Sequence, residues 1–544
     1  MKALPSSSIS KIKAGVLCLG LLAGLLMALQ PFGRVTAFAP FQAALTPQEK
    51  RGKQIYVQGT SSSGVEILAY LGDASIEVPG STMACANCHG LTGAGKPEGG
   101  VVPSNLTWEA LTKPYGVTHA SGRKHPPYTE RALELALTRG VDPAGNKLLN
   151  VMPRYQMSRE DMADLIAYLK RLGKDIDPGV SESRIRIGTV LPARSDLAGI
   201  SQAIKAVTTA YFDELNSQGG IYNRKIELKF IETAETTEAT SAKVKRFVQD
   251  EQVFAMTGSF TAGADKELAM LMNELEVPLV GPLTLYPQVG HPLNRHVFYL
   301  LSGMDGQARA LVNFASQKLT DGKASVALVY PENELSTVVL EAIKDQCQKK
   351  SCGALETYSY QSAHFDAPAS ARKLSQSGRN MVFFLGTAEE GLALMKEADK
   401  LGWSPQLYLP GAAIGKDVFE APPSFNRKIF LSFPTSPDDQ TAEGIGEFRA
   451  LATKYKLPAT HLAIQLSVYG AAKILVEGLK RTGKDLSREK LVENLEGLYQ
   501  YATGVTPAVT FGPNRRIGAM GAYVITVDLE KKQLLPASAW VNTN

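Results

Sequence analysis

Cys85-Ala86-Asn87-Cys88-His89 reads C-x-x-C-H, the arrangement that covalent attachment of a c-type haem requires. Two thiols one short turn apart can each add to a haem vinyl group, and the next residue sets an imidazole beneath the iron. Cys85 and Cys88 are therefore the expected tethers, and His89 the expected iron ligand. A bare C-x-x-C also serves zinc sites and thioredoxin-like redox pairs. Zinc would want a second cysteine pair or a close histidine pair, a role to which His119 and His125 could be recruited, and a thioredoxin motif would follow a strand of a βαβ unit. Neither context surrounds this stretch.

The N-terminal apolar run from Val16 to Leu29 stands behind Lys11 and Lys13, the pattern of a secretory signal. It is short for a membrane span. Leu17 before Cys18 does not make a lipoprotein box, and Ala37-Phe38-Ala39 is followed by Pro40, which spoils it as a cleavage site. Residues 1–39 are accordingly expected to be a signal peptide or an uncleaved anchor tethering the protein to the membrane. Either way the body is expected in the periplasm, where c-type haem is attached, and no other stretch reads as long and apolar enough to span. At 544 residues the chain is too long for one core, so two or three domains are expected. The net charge of +5 is spread along the chain with no basic block interleaved with aromatics, which argues against a nucleic-acid partner.

A linker, Asp175-Ile176-Asp177-Pro178-Gly179-Val180-Ser181-Glu182-Ser183, separates two textures. Before it, short helices stand among glycine-rich loops; after it, β-branched runs alternate with amphipathic helical patterns. In the first part Thr46-Pro47-Gln48-Glu49 has the hydroxyl, proline and glutamate of a helix start, and that helix would carry Gly52, Ile55 and Tyr56. Ser158-Arg159-Glu160-Asp161 opens another helix, with Met162, Leu165, Ile166 and Leu169 on one face.

With those two helices around the C-x-x-C-H motif, the segment from about Thr46 to Leu172 resembles a class I cytochrome c domain. The resemblance implies a small all-α domain, residues 45–174, whose terminal helices cross and grip one covalent haem c. It implies a sixth iron ligand from the loop before the last helix, where Met152-Pro153 stands; Met157, His119, His125 or an open site are the alternatives. A thioether favours ferrous iron and raises the potential. The stretch Pro103-Ser104-Asn105-Leu106 resembles the family's loop whose proline carbonyl accepts the other ring N–H of the proximal histidine, so Pro103 joins the expected haem-binding residues. The chain departs from the family between Tyr56 and Cys85, where an insert, Gly64 to Gly80, intervenes. Its Val65, Ile67, Ile76 and Val78 suggest a small hairpin near the haem edge.

From Arg184 onward, the strands Ile185-Arg186-Ile187-Gly188-Thr189-Val190-Leu191, Val253-Phe254-Ala255-Met256-Thr257-Gly258 and Ser325-Val326-Ala327-Leu328-Val329-Tyr330 recur between helical patterns. The rhythm argues parallel sheets with ligands at the carboxyl ends of the strands. Together with Phe212 through Glu227, Val277-Pro278-Leu279-Val280-Gly281-Pro282 and Phe511-Gly512-Pro513-Asn514-Arg515-Arg516, this series resembles type I periplasmic solute-binding proteins of the leucine/isoleucine/valine-binding group. The resemblance implies a two-lobed α/β fold over 184–541, lobe 1 about 184–302 and 433–510, lobe 2 about 303–432 and 511–541. It implies hinge crossings near Ser302, Ser432 and Phe511, and a cleft that closes on a small molecule. Carried over loop by loop, its ligand positions fall on Ser259, Thr261 and Ala262, on Thr284, on Tyr330 and on Ala412. Where amino-acid binders place a serine and an acidic residue, this chain has Ala262 and Ala412.

Cys347 and Cys352 flank the end of a helical pattern, and an oxidising compartment would favour a local disulfide between them. No nucleophile triad, paired-carboxylate cleft, phosphate loop or dinucleotide fingerprint stands out. The expected protein is thus not an enzyme. It is an exported c-type cytochrome with a redox partner protein, coupled to a ligand-binding domain; the alternative is a solute-binding protein serving an ABC permease, with the haem domain as accessory.

Overall fold

A computed structural model describes residues 45–543 except 73, 91, 96–99, 120, 175–176, 318–325, 353–354, 363, 412–414 and 485. The expected signal or anchor lies outside the described residues. The chain divides into two compact units, residues 1–174 and 175–544.

In the first unit, helix α1, Pro47–Gln58, begins at a capping box in which Thr46 Oγ1 accepts the Glu49 N–H and Glu49 Oε2 accepts the Thr46 N–H. It ends where Gly59 takes up a left-handed φ of 67°. After it come the hairpin strands β1, Leu68–Leu71, and β2, Ile76–Pro79, then the five-residue helix α2, Cys85–His89. Helix α3, Glu130–Arg139, strand β3, Arg154–Gln156, and helix α4, Arg159–Leu169, follow. Ser158 caps α4 by accepting the Asp161 N–H.

Helices α1 and α4 cross at Gly52, whose position leaves room for nothing larger: a Cβ there would stand 2.0 Å from the Asp164 carbonyl oxygen. Tyr56 and Tyr168 close the crossing with ring centroids 5.6 Å apart, and Leu165, Ile166 and Leu169 are buried beneath them. Burial of each such side chain contributes about 2 kcal/mol. The insert adds a three-stranded antiparallel sheet, β2-β1-β3, to this helical frame. Ile67 and Ala69 point inward with the period of two that one buried face demands.

The second unit holds two sheets. The first has strands β4, Arg184–Leu191; β5, Lys225–Glu232; β6, Ala255–Thr257; β7, Leu279–Val280; and β8, Val297–Leu301. The second has β9, Val326–Pro331; β10, Leu355–Tyr360; β11, Met381–Phe384; β12, Gln406–Pro410; and β13, Ile429–Phe433. The chain then returns to the first sheet with β14, Ile517–Ala519, and re-enters the second with β15, Gly521–Asp528, β16, Gln533–Pro536, and β17, Val541–Asn542. The orders are β14-β8-β7-β6-β4-β5 and β10-β9-β11-β12-β13-β15-β16, with β17 also on β15. All pairings are parallel except those of β15 with β13, β16 and β17.

Two expectations are corrected here. The third hinge crossing falls at Ala519–Gly521 and not near Phe511, because Phe511 packs edge-on against Phe298 inside lobe 1 and β14 pairs with β8. The crossing is pinned by Ser302, whose Oγ donates to the Ala519 carbonyl and accepts the Gly521 N–H. The expectation that no stretch beyond the N-terminal run is long and apolar enough to span also fails. The helix Leu462–Thr482 passes that test, yet it is mostly buried, its Ala471, Ile474 and Leu475 sealing the lobe 1 sheet.

Candidate haem site and ligand cleft

Helix α2 is one turn and a half, so Cys85 and Cys88 at i and i+3 share a face. Cys85 is buried and Cys88 exposed. Burial pushes the Cys85 thiol up to about 11, opposed by the nearby Tyr155 hydroxyl. His89 is buried, with Nδ1 2.8 Å from the Ser104 carbonyl oxygen. A carbonyl only accepts, so Nδ1 carries the proton and Nε2 keeps its lone pair for iron. Burial also holds the imidazole below its ordinary pKa, hence neutral.

That bond corrects the expectation for Pro103 by one residue. Successive carbonyls of an extended loop face opposite sides, and the Pro103 carbonyl is turned toward Gly95, 2.3 Å from where a Cβ there would sit. Gly95 is left-handed at φ 86°, so only glycine suits both the turn and the close approach.

Met152 lies half-buried in the turn before β3, its N–H donating to the Leu149 carbonyl, and it packs against the same core that contains Cys85. Met157 rests half-buried on that core too. His119 and His125 are engaged with each other. Their Nε2 atoms lie 2.9 Å apart, His125 Nδ1 donates to the Pro126 carbonyl, and the Arg123 guanidinium sits 3.1 Å from His119 Nε2 while pairing with Asp142. A guanidinium at that distance opposes any cation between the two rings, which also removes them from a zinc reading. Tyr155, which the sequence did not single out, donates to the Met83 carbonyl at 2.6 Å and ties β3 to the attachment helix.

These residues fit a haem c. Two free thiols stand beside a buried neutral imidazole of fixed tautomer, and Val102, Leu149 and Val151 expose 65%, 62% and 52% of their surface on the two loops that flank Pro103 and Met152. Apolar surface of that kind suits a porphyrin face.

In the second unit, the loops after β6 and β7 run side by side through the Phe260–Leu283 bridge. Ser259 is corrected as a ligand contact. Its side chain is fully buried and its Oγ accepts the Val190 N–H, so the hydroxyl serves the sheet. Thr261 is 4% exposed and donates to Asp265 Oδ1 at 2.9 Å; Thr284 accepts the Tyr286 N–H and also bonds Asp265. Burial raises the Asp265 pKa against the lowering effect of those two hydroxyls. Ala262 is exposed, Tyr330 is half-buried at the end of β9, and Ala412 lies outside the described residues. Asp265 was not foreseen; its place at the start of the helix after the ligand loop is the only signal it left in the sequence. Cys347 and Cys352 are buried free thiols in hydrogen-bond contact, brought together across left-handed Ser351, in place of the expected disulfide.

Residues 184–533 match the periplasmic binding protein family, well over half of the chain. The chain belongs to that family. Residues 80–173 match cytochrome c, so the protein is a periplasmic binding protein carrying a cytochrome c domain. It is similar to a Leu/Ile/Val-binding protein homolog of Brucella melitensis, 24% identical over 55% of this chain and 79% of the relative. Among solved structures it resembles a fatty acid ABC transporter substrate-binding protein from Thermomonospora curvata, with a TM-score of 0.53 and 16% identity over 67% of this chain and 93% of that one. It also resembles a branched-chain amino acid ABC transporter protein from Thermus thermophilus with bound valine, with a TM-score of 0.52 and 16% identity over 66% and 97%. At such identities the structural likeness establishes the two-lobed fold.

Proposed function

We propose that this protein is a periplasmic one-electron carrier whose single haem c is tethered by Cys85 and Cys88 and ligated by His89 and Met152, and whose second unit binds a small molecule. The observation that carries the reading is His89: buried, and turned by the Ser104 carbonyl so that Nε2 is left as its donor. The haem supplies the one-electron chemistry. The chain's residues hold it, orient the imidazole and exclude water, and two protein ligands leave no open position for substrate, so turnover at the iron is not expected. A redox partner protein receives the electron, and the ligand state of the lobes governs where or with what that exchange occurs.

The relatives favour a second reading, a binding protein that serves an ABC permease with the haem domain as accessory. Visible spectra of the exported protein with and without dithionite test the first. Sharp ferrous bands that return to the ferric form on reoxidation are expected, with the haem remaining on the chain under denaturation; a chain without covalent haem would refute it.

A further inference from the structure

The insert between α1 and the attachment helix is left without a role by the electron-carrier reading, and its pairing gives it one. Its central strand β1 pairs on one side with β2 and on the other with β3, in the register Leu68–Gln156, Ala69–Tyr155 and Tyr70–Arg154. Strand β3 begins two residues after Met152. On the other side of Met152, the Gly72 N–H donates to the Asn150 carbonyl at 3.3 Å. The methionine turn is thus bracketed, two residues upstream and two downstream, by hydrogen bonds to one hairpin.

The hairpin is itself held at its root. The Gly80 N–H donates to the Ile67 carbonyl at 2.6 Å, and Ser61 Oγ donates to Asp161 Oδ1 at 2.6 Å, a buried carboxylate in the first turn of α4. Beyond the backbone pairing, the Tyr70 hydroxyl lies 2.9 Å from Gln156 Oε1 and 3.0 Å from Glu77 Oε2, joining all three strands through one side chain. Tyr155, opposite Ala69, reaches back to the Met83 carbonyl just before Cys85. The same small sheet therefore ties the methionine turn to the segment that carries the thiols.

We propose that the paired strands β1 and β2 are a strap that holds the Met152 turn over the haem, so that Tyr70, Gly72 and Ala69 are positioning residues for the sixth ligand. An axial thioether is a weak donor, readily displaced when its loop can open. A turn anchored at both ends opens only by breaking those hydrogen bonds, so the strap protects the centre from external ligands and keeps it in one ligation state. The proposal rests on Met152 as that ligand.

The test is imidazole titration of the ferric, haem-loaded full chain, followed by loss of the weak sulfur-to-iron band at the red end of the spectrum. In one variant, residues 66–79 are replaced by a short glycine linker; in a second, Tyr70→Phe removes the hydroxyl alone. The strapless chain should bind imidazole about tenfold more tightly or better, the scale set by losing the hydrogen bonds that bracket the turn, and Tyr70→Phe about threefold more tightly. Urea titration of Tyr70→Phe, followed by haem absorbance, separates the strap from a general loss of stability: parent stability together with tighter imidazole binding is the expected result. Parent affinity in both strap variants overturns the proposal. Where the strapless chain holds no haem, parent affinity in Tyr70→Phe alone overturns it. If the parent protein lacks the sulfur band, the Met152 assignment has failed and the strap with it; a band present in the parent but insensitive to the strap variants faults the strap alone.

Discussion

Replacing Gly52 by alanine sets two effects of opposite sign against each other. Alanine in a helix interior is favoured over glycine by about 0.5–1 kcal/mol. At this position, however, the added Cβ would stand 2.0 Å from the Asp164 carbonyl oxygen, 2.6 Å from its carbon and 2.8 Å from Tyr168 Cβ. Cβ contacts under 3.0 Å are essentially never found, so α1 must withdraw from α4 by an ångström or so. The obstacle is backbone and cannot rotate aside. Withdrawal also stretches the Arg51–Asp164 pair, now 2.6 Å, whose carboxylate is almost fully buried. Overpacking of a well-filled contact costs about 1–3 kcal/mol, and a backbone clash lies at the upper end. The net expectation is a loss of about 2 kcal/mol, more than tenfold in the folded-to-unfolded ratio. Urea titration of the haem-loaded chain, followed by haem absorbance, reads the first unit directly. Gly446→Ala is the control: it also sits within a helix, Ala442–Tyr455, but a Cβ there meets nothing within 4 Å. That variant should stabilise the second unit by up to about 1 kcal/mol. If Gly52→Ala is neutral or stabilising as well, the close crossing does not exist and the account of how the haem domain closes is wrong.

Joint replacement of Cys85 and Cys88 by alanine should abolish covalent haem while the second unit still folds; haem staining of a denaturing gel decides this, and persistent stain refutes it. Met152→Ala should remove the sulfur-to-iron band and lower the midpoint potential, since a donor that favours ferrous iron is lost; the same changes on Met157→Ala alone would move the ligand there. Leucine, isoleucine and valine should bind weakly or not at all, because an ammonium desolvated without a counter-charge costs several kcal/mol and Ala262 and Ala412 supply no side-chain charge or hydroxyl. Calorimetry on the full chain showing micromolar affinity would overturn that view of the cleft. Asp265 has a folded-state pKa raised by burial, so its contribution is full below the unfolded value of about 4 and is lost as pH rises through the folded value. Asp265→Asn should therefore flatten the fall in stability of the second unit above that pH, and an unchanged slope in denaturation against pH would refute it.

The sequence alone marked the cytochrome c domain, because C-x-x-C-H is local. The reactive atoms lie within one turn, and no distant contact is needed to put two thiols and an imidazole together. It determined the two-part architecture for a similar reason, since strand and helix periods are written along the chain and change character at the linker. It also suggested a small hairpin within the insert, from Val65, Ile67, Ile76 and Val78, and β1 and β2 pair there. Tertiary structure decided everything that depends on which side a backbone faces or which strand lies next to which. The carbonyl that orients His89 belongs to Ser104 and not Pro103 because an extended loop alternates its carbonyls, a matter of one residue that composition does not mark. The third hinge crossing moved to Ala519–Gly521 because β14 pairs with β8 from more than two hundred residues away in the chain. The strap across the Met152 turn and the burial of Ser259 at the ligand loop likewise arise from pairings between distant segments. Such pairings are selected by packing in three dimensions, and a single chain read in order carries no signal for them.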